Sequence, residues 1–308
     1  MELNKEKNFA SAVVYLYNDE DRVYDFISGL DKTLSDNFVK YEIIVVNDHS
    51  SDKSASIVKD YASKKDNSCI TLLNMSFHQG VETSMNAGDD LAIGDFVFEF
   101  DSVYVDYEWS TMMDIYFHSL KGYDIVSAKT SQKKRLSSSM FYWLMNRYAH
   151  LQYELEPETF RVLSRRAINR IHDISAKVAY RKAAYANCGL KIASMTYHST
   201  KKMKFKIQTG RINLALNSLI LFTDVAFRTT VGISLMMVLV TIAMAIYAFC
   251  YWMLESPVEG WTTTILFLSF SFCCLFTILA MILKYLSTLV RMRFIRRDYV
   301  FESIEKLQ

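Results

Sequence analysis

The sequence predicts an α/β protein: a doubly wound parallel sheet, followed by two helices long enough to cross a bilayer. Three observations carry that expectation. Short β-rich apolar runs alternate with helically spaced segments over the first hundred residues. Acidic residues stand directly after two of those runs, and the last third of the chain holds two long uncharged stretches.

Residues 11–17 (SAVVYLY) make the first β-rich run. Residues 19–34 follow with Val23, Phe26, Ile27 and Leu30 on one helical face. Residues 41–46 (YEIIVV) are almost continuously apolar, as a strand covered on both faces requires. The polar run Asn47, Asp48, His49, Ser50, Ser51, Asp52 is predicted to turn and to cap a helix over 53–62. A third strand is predicted at 69–73, a helix at 81–91, and a fourth strand at 95–100 (DFVFEF), ending at Asp101. Strands and helices that alternate in this way build a parallel sheet with helices on both faces. Ligands bind such sheets beyond the carboxyl ends of the strands. Asp48 and Asp101 fall at two such ends and are predicted to converge on one crevice. Further on, 123–128 and 160–163 read as strands, and 137–150 and 165–171 as helices.

Residues 229–254 and 261–283 are uncharged runs of 26 and 23 residues. As helices they would extend roughly 39 and 35 Å, against a hydrocarbon core of about 30 Å. The link between them, ESPVEG, is acidic, whereas Lys201, Lys202, Lys204, Lys206, Arg211 and Arg228 precede the pair and Lys284, Arg291, Arg293, Arg296 and Arg297 follow it. The positive-inside rule then puts both termini in the cytoplasm, in a multi-pass membrane protein. Residues 207–227 read as an amphipathic helix on the membrane surface, or alternatively as an ordinary packing helix.

Composition narrows the function classes. A net charge of +2, with no basic stripe interleaved with aromatics, excludes a nucleic-acid partner. Five cysteines without a CxxC pair fit a reducing compartment better than a disulfide framework. The polar N-terminus carries no signal-peptide pattern.

Five blocks, in order, carry a family resemblance: YNDED at Tyr17; YEIIVVNDHSSDKS at Tyr41; GVETSMNAGDDLAIGDFV at Gly80; FRVLSRRAI at Phe160; and the second apolar run with KYLSTLVRMRFIRRDYVFE after it. Together they resemble family 2 glycosyltransferases of the polyprenyl-phosphate hexosyltransferase type, similar to dolichyl-phosphate mannose synthases and bactoprenol glucosyltransferases. The resemblance implies a Rossmann-like glycosyltransferase-A domain over 1–206 and an amphipathic juxtamembrane helix over 207–227. It further implies a two-helix transmembrane hairpin over 228–285 and a basic cytosolic tail over 286–308. The implied reaction is inverting transfer of a sugar from a nucleotide-sugar to a polyprenyl phosphate, often in a homo-oligomer. Tyr17, Asp19, Asp48 and Ser102 take nucleotide-binding positions; Asp101, Asp106 and Arg161 take catalytic ones; and Ser199, Lys201 and Lys202 match the loop that clamps diphosphate or acceptor. A divalent cation, Mg²⁺ or Mn²⁺, is implied at Asp101, where a carboxylate pair ordinarily neutralises the leaving diphosphate.

The departures from the pattern cluster at the site. The family's D-x-D reads Asp101-Ser102-Val103, so the second carboxylate is Val103. Asp106 or Glu108 stands nearby as a substitute ligand. The family's acidic residue before FR is Thr159, and Glu158 beside it is expected to point away from the site if 160–163 is a strand. VDDGS has become Val46-Asn47-Asp48-His49-Ser50, without the turn glycine. Glu82 is expected to be a solvated helix residue. Two function classes stay open at this point: an active transferase, and a degenerate relative serving as a membrane-bound nucleotide-binding or scaffold subunit.

Overall fold

The structure, a computed structural model, describes residues 5–65, 69–132, 136–148, 151–174, 180–200 and 299–307, with isolated positions between 229 and 289. The chain divides into two compact units, one of Met1–Asn146, Leu151–Leu214 and Arg297–Gln308, the other of Arg147–His150 and Ala215–Arg296.

The first unit is built on eight strands, β1 (Ala10–Leu16), β2 (Tyr41–Asn47), β3 (Ile70–Met75), β4 (Phe96–Phe100), β5 (Ile125–Thr130), β6 (Phe160–Ser164), β7 (Ile192–Tyr197) and β8 (Phe301–Leu307). They lie side by side in the order β7-β5-β6-β4-β1-β2-β3-β8. The helices are α1 (Glu20–Asn37), α2 (Ser54–Ala62), α3 (Val81–Leu91), α4 (Ser110–Ser119), α5 (Leu136–Tyr148), α6 (Arg165–Ile174) and α7 (Arg181–Ala186).

The central strands β3-β2-β1-β4 run parallel, as the alternating pattern predicts. The sheet as a whole is mixed, which corrects the all-parallel expectation. β6 lies antiparallel between β4 and β5, and β8 lies antiparallel on β3. Strands and helices still alternate beyond β4, but β4 and β5, joined through α4, are not neighbours, because β6 inserts between them and pairs antiparallel with both.

Alternate residues of each strand feed two cores. One packs Ala12, Val14, Ile43, Val45 and Phe98 under α1, α2 and α4. The other packs Val13, Ile44, Val46 and Val97 under α3, α6 and α7. In α1 the buried positions Val23, Phe26, Ile27, Leu30 and Leu34 repeat every three to four residues. One acidic residue joins them: Asp31 is buried because Tyr41 and Tyr61 each donate to it at 2.8 Å.

The C-terminal residues expected to form a tail supply an element of the sheet instead. FESIEKL folds as β8 and closes the β3 edge, its register fixed by Lys59–Glu305 at 2.7 Å and Asn74 donating to Ser303 Oγ at 3.0 Å. Charged, alternating sequence of this kind suits an edge strand.

The amphipathic segment and most of the hairpin lie outside the described residues. The described positions in 229–289 are largely helical, and among the described residues no helix is long and apolar enough to cross a membrane.

Candidate active site

Asp48 follows β2 and is fully buried. Three donors reach it, Tyr15 Oη at 2.9 Å, the backbone N–H of Gln79 at 2.7 Å and that of Gly80 at 2.8 Å, and His78 Nδ1 lies 2.9 Å from its Oδ2. The His78 ring also stacks on Tyr17, with centroids 4.1 Å apart and planes 25° from parallel. The His78 side chain is half-exposed.

Asp101 follows β4. Arg161 donates to its Oδ2 at 2.8 Å, and Arg181 pairs with its Oδ1. Burial alone would push the Asp101 carboxyl up, but Arg161, Arg181 and Lys182 outweigh it and hold the group well below the usual carboxylate range. Both arginines are essentially inaccessible and also converge on Glu99, at 2.8 and 2.7 Å. Glu99 and Arg161 are register partners on the antiparallel pair β4–β6, which brings them together. Tyr185 Oη donates to the other Glu99 oxygen at 2.5 Å.

Glu158 and Glu82 complete the cluster, and both differ from expectation. Glu158 accepts from Arg161 Nε at 3.1 Å: it lies before β6 begins, so strand alternation does not direct it outward. Glu82, in the first turn of α3, accepts from the backbone N–H of Arg181 at 2.9 Å and from its Nε at 3.2 Å, and is nearly buried rather than solvated. The first turn of α3 therefore ties the two strand ends together, with Gly80 on Asp48 and Glu82 on the arginine that holds Asp101.

Other expected site residues have local roles. Arg161, expected at a catalytic position, is buried among three carboxylates, because a guanidinium removed from water needs such partners. Asp106 is buried and accepts from Tyr197 Oη at 2.7 Å and Ser199 Oγ at 2.8 Å, while its backbone carbonyl accepts from Thr200 N–H. It anchors the segment after β7. Ser102 Oγ accepts from Tyr104 N–H at 3.2 Å in a tight local turn. Asp19 precedes α1 and pairs with Arg22. Lys201 and Lys202 lie outside the described residues.

Sequence reasoning passed over Glu99, Arg181, Lys182 and Tyr185. Glu99 had a readable signal, since a lone carboxylate in the apolar strand DFVFEF must find a cation if that strand is central. Arg181 begins a six-residue helix with no motif around it, and only the fold reveals its place.

Residues 11–189, more than half of the chain, match the family described as glycosyl transferase family 2. The chain belongs to glycosyltransferase family 2. An uncharacterized glycosyltransferase of Synechocystis is 28% identical over 186 residues, covering 58% of this chain and 57% of its own. A prophage bactoprenol glucosyl transferase homolog of Escherichia coli is 24% identical over 231 residues, covering 71% and 73%. The chain spans 57–60% of the length of the Synechocystis protein and two Bacillus subtilis glycosyltransferases. A mannosyltransferase from Pyrobaculum calidifontis, solved with GDP-Man and Mn²⁺, shares the fold with a TM-score of 0.51 at 14% identity, over 70% of this chain and 63% of its own.

The cation that a family 2 site implies was tested against the side chains present here. Both Asp101 oxygens are engaged by guanidinium groups, Val103 is buried in the apolar core, and both Asp106 oxygens accept hydroxyl hydrogen bonds. In this arrangement the donor set does not fit a resident divalent ion.

Proposed function

We propose that this family 2 protein moves a sugar from a nucleotide-sugar to a polyprenyl phosphate at the cytosolic face of a membrane, with inversion at the anomeric carbon. One observation carries the nucleotide half of that reading. A planar nitrogen heterocycle, His78, stacks on Tyr17 while its Nδ1 lies 2.9 Å from Asp48 Oδ2. A nucleobase with a ring N–H makes the same two contacts, and its entry requires the imidazole to leave.

In the proposed reaction an oxygen of the lipid phosphate attacks the anomeric carbon, the bond from that carbon to the diphosphate breaks, and a nucleoside diphosphate departs. The phosphate is already ionised near neutral pH, so no strong general base is needed. Ser199, held by Asp106, and Lys201 and Lys202 just after it are proposed to meet the acceptor or the diphosphate. The lipid half of the reading draws on the bactoprenol glucosyl transferase relatives and on the uncharged runs at 229–254 and 261–283. Described helical positions in the second run expose Leu268, Leu275, Leu279 and Ile282, apolar surface suited to acyl chains. A multi-pass anchor with both termini cytoplasmic, and association of copies through it, belong to the same proposal.

A second reading is favoured by the locked Asp101: a subunit that binds nucleotide and transfers nothing. Radiolabelled nucleotide-sugars incubated with membranes containing the chain and added polyprenyl phosphate separate the two. Labelled lipid from at least one donor is expected; none from any donor leaves the second reading. In parallel, His78→Ala is expected to tighten UDP or GDP binding several-fold, and unchanged affinity would remove the imidazole from the base position.

A further inference from the structure

We infer that the crevice at the carboxyl ends of β2 and β4 binds its nucleotide without a divalent cation, because Arg161 and Arg181 already neutralise Asp101, the carboxylate such a cation would need. The inference rests on the nucleotide reading above and concerns the charge balance of that same site.

The side chains make a consistent case. Asp101 spends one oxygen on each guanidinium. Val103, two residues on, contributes a methyl-bearing side chain to the core beneath α1 and α4 rather than an oxygen to the crevice. Asp106 has both oxygens committed to Tyr197 and Ser199. The charge of Lys182 also acts on Asp101, so an arriving divalent ion meets three positive groups. Among the described residues no three His, Cys, Asp or Glu side chains are grouped to hold a metal.

Neither arginine is free to withdraw. Arg161 also bonds Glu99 and Glu158, and Arg181 also bonds Glu99 and Glu82. Displacing a guanidinium from Asp101 would leave a buried charge short of its partner. Penalties of that kind weaken binding by more than about a hundredfold. With Asp101 neutralised from within, the charge of the diphosphate falls to lysines. Lys182 is the described candidate, its ammonium only loosely paired with Glu158 at 3.8 Å.

Manganese binding and nucleotide binding, measured separately on the full chain, test the inference. In the first measurement Mn²⁺ is titrated into the wild-type protein and the free ion is followed by electron paramagnetic resonance. The expected result is no protein-dependent loss of the free signal. In the second, UDP and GDP are titrated calorimetrically in EDTA and again in Mn²⁺, and the affinities are expected to agree within about threefold. Arg181→Gln, which releases one Asp101 oxygen, is expected to gain manganese binding. The wild-type results decide the matter even if that variant fails to fold. Stoichiometric Mn²⁺ uptake by the wild type that disappears in Asp101→Asn, or nucleotide binding lost in EDTA and restored by Mn²⁺, overturns the inference. Failure of UDP and GDP to bind in either condition overturns the nucleotide reading instead, and the manganese titration then decides this one alone.

Discussion

His49 adopts φ +58°, in the left-handed region where the resembling family blocks carry glycine. A side chain with a Cβ is strained there by about 1 kcal/mol. His49→Gly is therefore expected to raise the unfolding free energy by about that amount, read from urea denaturation; a loss of stability would mean that the imidazole makes a compensating contact. The departure was visible in the sequence as the missing turn glycine, and its backbone consequence followed directly. Asp89 was not visible in that way. Burial first, and then the neighbouring Glu99, push its carboxyl well above the ordinary range, and its Oδ1 has no hydrogen-bond partner. For a carboxyl raised on folding, the stability contribution is complete below the unfolded value near 4 and is lost as pH rises toward the raised folded value. The loss runs at about 1.4 kcal/mol per pH unit across that window. Asp89→Asn removes it, so the variant is expected to match the wild type near pH 4 and to exceed it at pH 7 in the same denaturation experiment. Nothing local in NAGDDL marks Asp89 for burial and Asp90 for the surface. Only the packing of α3 against β1 and β2 separates them.

Among the elements, α3 couples packing to the site. A Cβ at Gly88 would lie 2.3 Å from Val13 Cγ1 and 2.8 Å from Val46 Cγ2, so the helix rests almost directly on β1 and β2. Gly88→Ala forces that contact apart and is expected to destabilise the fold by about 1–3 kcal/mol. Because the first turn of α3 carries Gly80 and Glu82, nucleotide binding should weaken along with the melting temperature; a fall in temperature with unchanged affinity would separate packing from the site. The strand–helix alternation up to β4 was legible because both core faces demand apolar residues at short, regular intervals. β8 was not, because an edge strand needs few apolar residues and FESIEKL resembles a solvated tail. Yet the residues leading into it reach the site. The Gln79 side chain donates to the Val300 carbonyl at 2.5 Å and accepts from the Val300 N–H at 3.1 Å, while the Gln79 backbone N–H holds Asp48. Removing residues 299–308 is expected to lower both the melting temperature and the affinity for UDP or GDP.

For the molecule as a whole, charge buried at the strand ends sets the acid limit of stability. Burial opposes ionisation of Asp101, but its arginine partners prevail. At Asp124 burial likewise opposes, and the Arg166 hydrogen bond prevails. For carboxyls depressed in this way, the stabilisation is present above the unfolded value near 4 and is lost as pH falls through the folded values. Urea midpoints are therefore expected to drop below about pH 4, in wild type and Asp89→Asn alike. Glu99→Gln leaves two buried guanidinium groups sharing one carboxylate fewer, at an expected cost of about 3–5 kcal/mol. Asp48 and Asp101 were legible as acidic residues at two strand ends, but the arginine network around Asp101 draws on residues from Glu82 to Arg181 and could be seen only once the strands were aligned. One feature of that alignment bears on biosynthesis. β3 acquires its outer neighbour from residues 301–307, so its hydrogen-bonding edge stays bare while more than two hundred intervening residues are made. Until residues 301–307 emerge, a nascent chain is open to mispairing along that edge, and a stall or premature stop between β3 and β8 leaves it bare for good.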